Sequence, residues 1–283
     1  MTETNKLSAE TFTRFIQSQK ILTSGRVTIN FDGITFISPG GIVPVASVCE
    51  HLSSSGREIF IRARNRELQS RLIKTGFFHM VERIAVFEPA ISQVLVGDLE
   101  AWQGANPLLI EITRLQNAND LSERLDKVLS ILRFRMRYEP SRAYNATIAI
   151  SEICQNTFDH NRDRCGFFSL QTFGEQSRRF TEICVSDYGI GLAESLTNNP
   201  NNPNFGSDIE AIKFAMKLGV SEFDDPTRGT GLHHLLRIAE KNEGSIQITS
   251  GSGTVRYRAD KDEWRYFKSL HIPGVSIVLC LPA

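Results

Sequence analysis

A polar helix face within an otherwise apolar segment, SEICQNTFDH, restricts the possible folds of this chain more than any other pattern in it. Glu152, Asn156 and His160 recur there every four residues. On a helix this spacing puts a carboxylate, a carboxamide and an imidazole on one face. The segment therefore predicts a helix that packs through its apolar residues and keeps a polar face for chemistry.

Two later segments rich in glycine complete the pattern. VSDYGIGL places Asp187, Gly189 and Gly191 at the exit of an apolar strand, and TRGTGLHHLL begins a second helix with Gly229 and Gly231. Glycines at a helix start leave backbone N–H groups available to anionic phosphate. Glycines after a strand let the backbone pass close to a flat ring or adopt positive φ. This is the layout that a nucleotide site with a divalent metal needs.

The candidate side chains have distinct expected roles. The carbonyl oxygen of Asn156 is a suitable ligand for Mg²⁺ when phosphate oxygens supply the negative charge. Glu152, one turn earlier, can orient or deprotonate a water or hydroxyl that approaches the terminal phosphate. Asp187 ends an apolar strand, where a carboxylate needs a donor such as the adenine exocyclic amine. Arg228 adds a positive charge for the phosphates.

Each motif taken alone also has an ordinary structural explanation. A solvated polar helix can carry ExxxN, a tight turn after any strand can carry DxGxG, and GxG often precedes a helix. Their joint order is what indicates ATP. ExxxN is followed by a pair of strands, then by DxGxG, a loose connecting segment and GxGL.

Composition limits the alternatives. A chain of 283 residues that is 41% hydrophobic and 23% charged predicts two globular domains. Its 32 basic and 32 acidic residues cancel, so no overall field attracts nucleic acid or anionic lipid. No apolar run reaches the roughly 20 residues of a membrane span. Five scattered cysteines without a CxxC pair predict reduced, buried thiols in a cytoplasmic protein.

The first half alternates predicted strands and helices. VTINF and ITF flank Asp32 and Gly33, which predicts two short strands joined by a tight turn. Pro39 then starts an apolar helix that ends at 53–56, and EIFIRA, ELQSRLIKTGF and RIAVF follow as strand, helix and strand. The alternation predicts an α/β domain with one sheet.

A polar link at 98–107 precedes a second α/β layer. Leu121 to Tyr138 has helical spacing; Pro140 is expected to end that helix and Ser141 to cap the next. FFSLQTF and RFTEICVSD are consecutive strands, and SIQITS, TVRYRA and VSIVLCL are the last three. TNNPNNPNFGS predicts a mobile cover over the ligand, with a plain surface insertion as the alternative.

The three motifs, in this order, resemble the GHKL ATP-binding fold. Histidine kinases, type II topoisomerases, heat-shock chaperones, mismatch-repair proteins and anti-sigma factor kinases share that fold. The likeness spans about 108–283 and is closest to the anti-sigma factor kinase type. It implies a two-layer α/β sandwich over 101–283 that binds ATP with Mg²⁺.

The resemblance assigns a role to each matching residue. It gives Asn156 the metal, Glu152 the base role and Asp187 the adenine amine. The other implied ATP contacts are His160, Gly189, Gly191, Arg228, Gly229, Thr230, Gly231 and Leu232.

The chain departs from the family pattern in one place. The family often has Gly-Thr before the last strand, with the threonine beside the adenine. Here the chain reads Pro273–Val275, so Ser276 or Thr254 are the candidates to replace that threonine.

Three histidines lie close to the motifs. His160 either touches phosphate or caps the end of its helix, where a cation suits the helix dipole. His233 and His234 directly follow the glycines. Surface or packing roles are expected for both, with ligation as the alternative.

The first half is similar to a STAS domain, the fold of anti-sigma factor antagonists, over about Arg26 to Ala90. The likeness implies an α/β sheet domain over 1–100. Aligned on that family, Ser38 takes the acidic position, while Pro39 and Gly40 lie where serines usually lie. The usual phospho-acceptor is therefore missing, and Ser38 is a candidate acceptor in a different context.

Together the resemblances imply a cytoplasmic regulatory protein that binds Mg-ATP and acts as a Ser/Thr protein kinase or ATPase of the anti-sigma factor type. The alternative is an ATP-gated protein-binding switch with little or no phosphotransfer. The implied partner is a STAS-type protein or transcriptional regulator, and a homodimer is conceivable. No direct contact with nucleic acid or membrane is expected. A sensor histidine kinase is disfavoured because no membrane segment is apparent in the sequence.

Overall fold

The protein is mixed α/β, with three sheets in the part of the chain that the structure describes. The structure is a computed structural model. It describes residues 5–19, 25–100, 108–116, 118–159, 165–175, 178–217, 219–220 and 230–283. Within those residues, no helix combines the length and the apolar character that crossing a membrane requires.

The first half contains short elements around two parallel sheets. The order along the chain is β1 (Lys6–Leu7), α1 (Phe12–Ser18), β2 (Arg26–Asn30), β3 (Phe36–Ile37), α2 (Pro39–Ser54), β4 (Glu58–Arg62), α3 (Arg66–Lys74), α4 (Phe77–Val81), β5 (Ala85–Glu88) and α5 (Gln93–Glu100). Strands β2, β4 and β5 form a three-stranded parallel sheet in that order, and β1 pairs with β3.

The predicted strands on either side of Gly33 are β2 and β3, but they belong to different sheets, so the predicted single sheet of this half is wrong. Gly33 does make a turn, with φ of 86°. The chain after it leaves the first sheet, because β3 pairs with β1 while β2 pairs with β4. The pairing of β2 with β4 continues past the end of β2. The N–H of Phe31 donates to the carbonyl of Arg62, and the carboxylate of Asp32 accepts the N–H of Arg64. Helix α2 supplies the crossover that parallel strands need.

The second half is built around one antiparallel sheet. Its elements are β6 (Leu109–Leu115), α6 (Ala118–Ser130), a π-helical turn (Ile131–Arg135), α7 (Pro140–Asp159), β7 (Gly166–Phe173), β8 (Phe180–Ser186), α8 (Leu192–Thr197), α9 (Asp208–Ala215), α10 (Gly231–Lys241), β9 (Ser245–Arg258), a short 3₁₀ turn (Ala259–Lys261) and β10 (Glu263–Pro282). The strand order is β6-β7-β8-β10-β9.

Two boundaries in this half differ from the sequence prediction. The helix predicted over 121–138 becomes α6 and the π-helical turn. Pro140 does not end it, because Pro140 is the first residue of α7, where its missing N–H costs no hydrogen bond. Ser141 therefore lies inside the first turn and not at the cap. SIQITS and TVRYRA form one continuous strand, β9, although Gly251 inside it has positive φ.

The Asn/Pro-rich segment after α8 is anchored by several of its own side chains. Asn199 is buried and its side chain accepts a hydrogen bond from the N–H of Asn201. Asn202 donates to the carbonyl of Leu196, and Phe205 packs on Phe214 with ring centroids 5.4 Å apart. Asparagine side chains satisfy the loop backbone here, which composition alone does not reveal.

The five-stranded sheet is buried on both faces. Phe167 and Cys184 belong to the apolar cluster around α2, whereas Phe168 and Ile183 belong to the cluster around α7 and α10. Consecutive strand residues point to opposite faces, so β7 and β8 each contribute side chains to both clusters. The first half of the chain thus covers one face of the sheet, and the helices of the second half cover the other.

Glycines 40 and 41 let the start of α2 approach its neighbours closely. A Cβ added to Gly41 would clash with the backbone carbonyl of Leu7, and one added to Gly40 would lie 3.0 Å from Glu182 Oε1. The N–H of Gly40 donates to that oxygen at 2.6 Å. A second polar contact, an ion pair between Glu50 and Arg114, joins α2 to β6.

Burial raises the pKa of the Glu182 carboxyl above its ordinary value of 4.5. The hydroxyl of Ser38, the N–H of Gly40 and the thiol of Cys280 oppose this rise because they favour the charged form, and the nearby charge of Glu10 adds to it. Ionisation of Glu182 is therefore less favourable in the folded protein than in the unfolded chain.

Replacing Gly41 by alanine is expected to destabilise the fold by about 1–3 kcal/mol, because the methyl group meets backbone that cannot rotate away. Chemical denaturation with urea measures the change. Gly25→Ala is the matched control, since no atom of the described residues lies within 4 Å of the position of its Cβ. Equal stability of the two variants would contradict the packing at the start of α2.

Glu182→Gln is expected to change how stability depends on pH. Because the pKa of Glu182 is higher in the folded protein than in the unfolded chain, its contribution to stability is fully present below pH 4.5. That contribution is lost as pH rises through the folded-state pKa. The glutamine oxygen still accepts from Gly40 but carries no charge, so the variant lacks this loss. Thermal midpoints measured between about pH 4.5 and 8 test the prediction. Glu194→Gln, at an exposed residue, serves as the control, and a Glu182→Gln profile parallel to that of the wild type would disprove it.

Candidate functional site

Helix α7 presents the predicted polar face. Its apolar residues, such as Ile153 and Cys154, are buried in the cluster that it shares with α10. Glu152 has 32% of its side chain exposed, and Asn156, one turn later, is exposed. The helical spacing therefore placed both residues correctly. His160, the third member of the pattern, lies outside the described residues.

The start of α10 lies against Glu152. The hydroxyl of Thr230 donates to Glu152 Oε2 at 3.4 Å, and Nδ1 of His234 lies 3.2 Å from the same oxygen. A Cβ on Gly231 would lie 3.1 Å from Ile153 Cδ1 and 3.3 Å from Glu152 Cβ. A glycine at this position thus allows the two helices to pack closely, and residues four apart on α10 converge on one carboxylate.

His234 lies against Glu152, whereas the sequence favoured a surface or packing role for it over ligation. Its neighbour His233 faces elsewhere, with Nδ1 3.3 Å from the carbonyl oxygen of Met216. The four-residue spacing between Thr230 and His234 was a usable signal, because it puts both on one face of α10. What the sequence could not reveal is that α7 lies opposite that face.

Asp187 lies at a turn that is held from two sides. Its Oδ1 accepts the N–H of Gly189 at 2.7 Å, and its own N–H donates to the carbonyl of Val275 at 2.9 Å. Gly274 has φ of 77°, and a Cβ there would clash with the backbone carbonyl of Asp187. The Pro-Gly-Val segment thus packs closely against the aspartate.

Hydroxyl groups line the neighbouring backbone. Gly191 has φ of 83°, and Ser250 Oγ accepts the N–H of Leu192 at 2.9 Å. Ser276, one candidate for the missing threonine, lies opposite Ser186 with hydroxyl oxygens 2.6 Å apart. Ser186 directly precedes Asp187, so Ser276 is close to the aspartate along the sheet.

Thr254, the other candidate for the missing threonine, lies elsewhere in the sheet. Its hydroxyl pairs with that of Thr249 at 3.0 Å, and Phe267 is its partner across the strands. Ser276 is therefore the better candidate of the two.

The remaining predicted contacts divide into described and undescribed residues. Leu232 is partly buried and packs on the cluster around α7. Arg228 and Gly229, like His160, fall outside the described residues. Among the residues that the structure does describe, no three His, Cys, Asp or Glu side chains are grouped to hold a metal ion. A magnesium ion at Asn156 would thus depend on ligands supplied by a bound anion.

The described site residues form two polar groups beside the same apolar cluster. The helix-start group comprises Glu152, Asn156, Thr230, Gly231 and His234. The turn group comprises Asp187, Gly189, Gly191, Ser250 and Gly274. Ile153 beside the first group, and Leu192 and Val275 beside the second, pack in that cluster. The helix-start group offers proton-accepting side chains at the start of α10, and the turn group offers a fixed carboxylate.

Comparison with protein-family models finds no match to this chain, and a search of the curated proteins also finds none.

Proposed function

We propose that this protein binds Mg-ATP and acts as a regulatory protein of the anti-sigma factor kinase type. One observation carries the proposal: Glu152 is held against Thr230 and Gly231 at the start of α10. A helix start attracts phosphate through its free N–H groups and its dipole. The carboxylate that assists attack on a terminal phosphate has to lie beside such a start, and Glu152 does.

The turn group supplies the proposed adenine end of the site. Because the N–H of Gly189 holds Asp187 Oδ1, the orientation of the carboxylate is fixed before any ligand arrives. An amine donor on a flat ring then meets an acceptor that needs no reordering, which reduces the entropic cost of binding.

The residues present fit a magnesium ion that is shared with phosphates. The amide oxygen of Asn156 is exposed on α7, one turn from Glu152, and is a hard neutral ligand. The ion would neutralise charge on the phosphate oxygens and orient them for attack. The proposal also assigns contacts with the phosphates of ATP to Arg228, Gly229 and His160.

The finer architecture is part of this proposal. We assign 101–283 to a GHKL two-layer sandwich and 1–100 to a STAS-like domain. The antiparallel sheet with α6, α7 and α10 on one face supports the first assignment. The parallel sheet β2-β4-β5 with its intervening helices supports the second. The proposed partner is a STAS-type protein or a transcriptional regulator.

A second candidate function is an ATP-gated binding switch without phosphotransfer. The buried start of α2 favours it, because Ser38 is only 1% exposed and Gly40 is bonded to Glu182. In this alternative, the STAS-like half does not accept phosphate from the ATP site of the same chain. It serves instead as a surface on which a partner protein docks. ATP binding would then change which surface a partner meets.

Isothermal titration with Mg-ATP tests the binding site. The wild type is expected to bind, and Asp187→Ala and Asn156→Ala to bind at least about tenfold more weakly, a loss of about 1.4 kcal/mol. Gln155→Ala is the matched control for Asn156, because it removes the neighbouring exposed amide from the same helix. If Asp187→Ala binds as tightly as the wild type, the adenine assignment is wrong.

Incubation with ATP labelled at the γ-phosphate separates the two functions. Label that appears on an added STAS-type protein, and is lost with Glu152→Ala, indicates a kinase. Normal nucleotide affinity without transfer, together with capture of that protein only when ATP is present, indicates the switch. Transfer that persists in Glu152→Ala would show that this carboxylate is not needed for the chemistry.

A further inference from the structure

We propose that His234, and not Glu152, accepts the proton from the nucleophile that attacks the terminal phosphate, and that Glu152 orients the imidazole ring. The inference rests on the proposed ATP site and assigns a base within it. It is drawn from the contact between α7 and α10, which the sequence did not predict.

The geometry is that of a carboxylate holding one ring nitrogen. Glu152 Oε2 lies 3.2 Å from His234 Nδ1 and also receives the Thr230 hydroxyl at 3.4 Å. A carboxylate at Nδ1 stabilises the tautomer in which Nδ1 carries the proton. The lone pair is then on Nε2, at the far side of the ring.

The His234 ring is more exposed than the Glu152 carboxylate. The imidazole is 46% exposed against 32% for the Glu152 side chain, and Nε2 has no hydrogen-bond partner among the described residues. The Oε2 atom of Glu152 faces both Thr230 and His234. A water molecule can approach Nε2 without displacing either of these contacts.

The position of the ring suits the step. His234 lies one turn into α10 from Thr230, and its side chain faces the same carboxylate. Side chains on a helix lean toward its N-terminus, so the imidazole lies over the first turn of α10, where we place the phosphates.

The proposed step balances as a hydrolysis. The oxygen of water forms a bond to the γ-phosphorus while its proton moves to Nε2 of His234. The bond from the γ-phosphorus to the bridging oxygen breaks, and ADP leaves with that electron pair. The Glu152 carboxylate stabilises the imidazolium, which then returns its proton to solvent, and inorganic phosphate is released.

A purely structural role for the contact predicts different behaviour. An exposed pair of this kind contributes little to stability. If its role were only structural, removing it would leave the fold, and therefore ATP hydrolysis, almost unchanged. Small imidazole added to the solution could not replace a packing contact. Chemical rescue therefore separates a proton acceptor from a structural neighbour.

The experiment measures ATP hydrolysis by the full chain, with and without added imidazole, for the wild type, His234→Ala, His234→Gln and His233→Ala. His234→Ala is expected to lower kcat about 100-fold with unchanged ATP affinity, and imidazole to restore at least about tenfold. His234→Gln fills the space of the ring, so it is expected to lose the same activity without rescue. His233→Ala, whose ring faces Met216, is expected to match the wild type.

Several results would overturn the inference. Normal hydrolysis by His234→Ala, or a loss that imidazole does not restore in a variant that still binds ATP and unfolds at the wild-type temperature, excludes His234 as the base. Wild-type protein that binds Mg-ATP without hydrolysing it also overturns the inference and favours the switch. Wild-type protein that does not bind Mg-ATP overturns the proposed function itself, which titration detects separately.

Discussion

The burial of the five-stranded sheet on both faces is the constraint on which the rest of the structure depends. Adjacent residues such as Phe167 and Phe168 point to opposite sides, and each side has its own layer of helices. Helix α2 can lie flat on one side only because Gly40 and Gly41 lack side chains. On the other side, Gly231 has the same effect where α10 meets α7. Close helix packing on both faces therefore depends on glycines at two helix starts.

Local patterns in the sequence predicted the elements that carry the site better than they predicted the pairing of those elements. The four-residue spacing of Glu152 and Asn156 was enough to place both on the outer face of α7, because the helical period determines direction. Whether β2 pairs with β3 or with β4 depends on residues about 30 positions apart. The turn at Gly33 is compatible with either choice, so the local pattern does not determine which strand pairs with β2.

The candidate site also depends on contacts between distant segments that local patterns do not predict. Asp187, Gly189 and Gly191 are recognisable as a turn after a strand, but its second half comes from Gly274, more than 80 residues later. Likewise, the partner of Glu152 is a histidine whose own segment indicates only a helix after glycines. Contacts between distant segments depend on tertiary packing, and a single sequence carries no direct record of them. The asparagine-rich segment is a related case, because its anchors are side-chain hydrogen bonds to nearby backbone that composition does not reveal, and its mobility stays a prediction.

Strand β8 links the two halves of the molecule through one stretch of backbone. Glu182 lies under the first turn of α2, and Asp187 follows the end of the same strand, about 17 Å away for an extended chain. If a ligand bound at Asp187 changes the free energy of partner binding at α2, the two events are coupled. A partner bound at α2 must then change the affinity for that ligand by the same free energy.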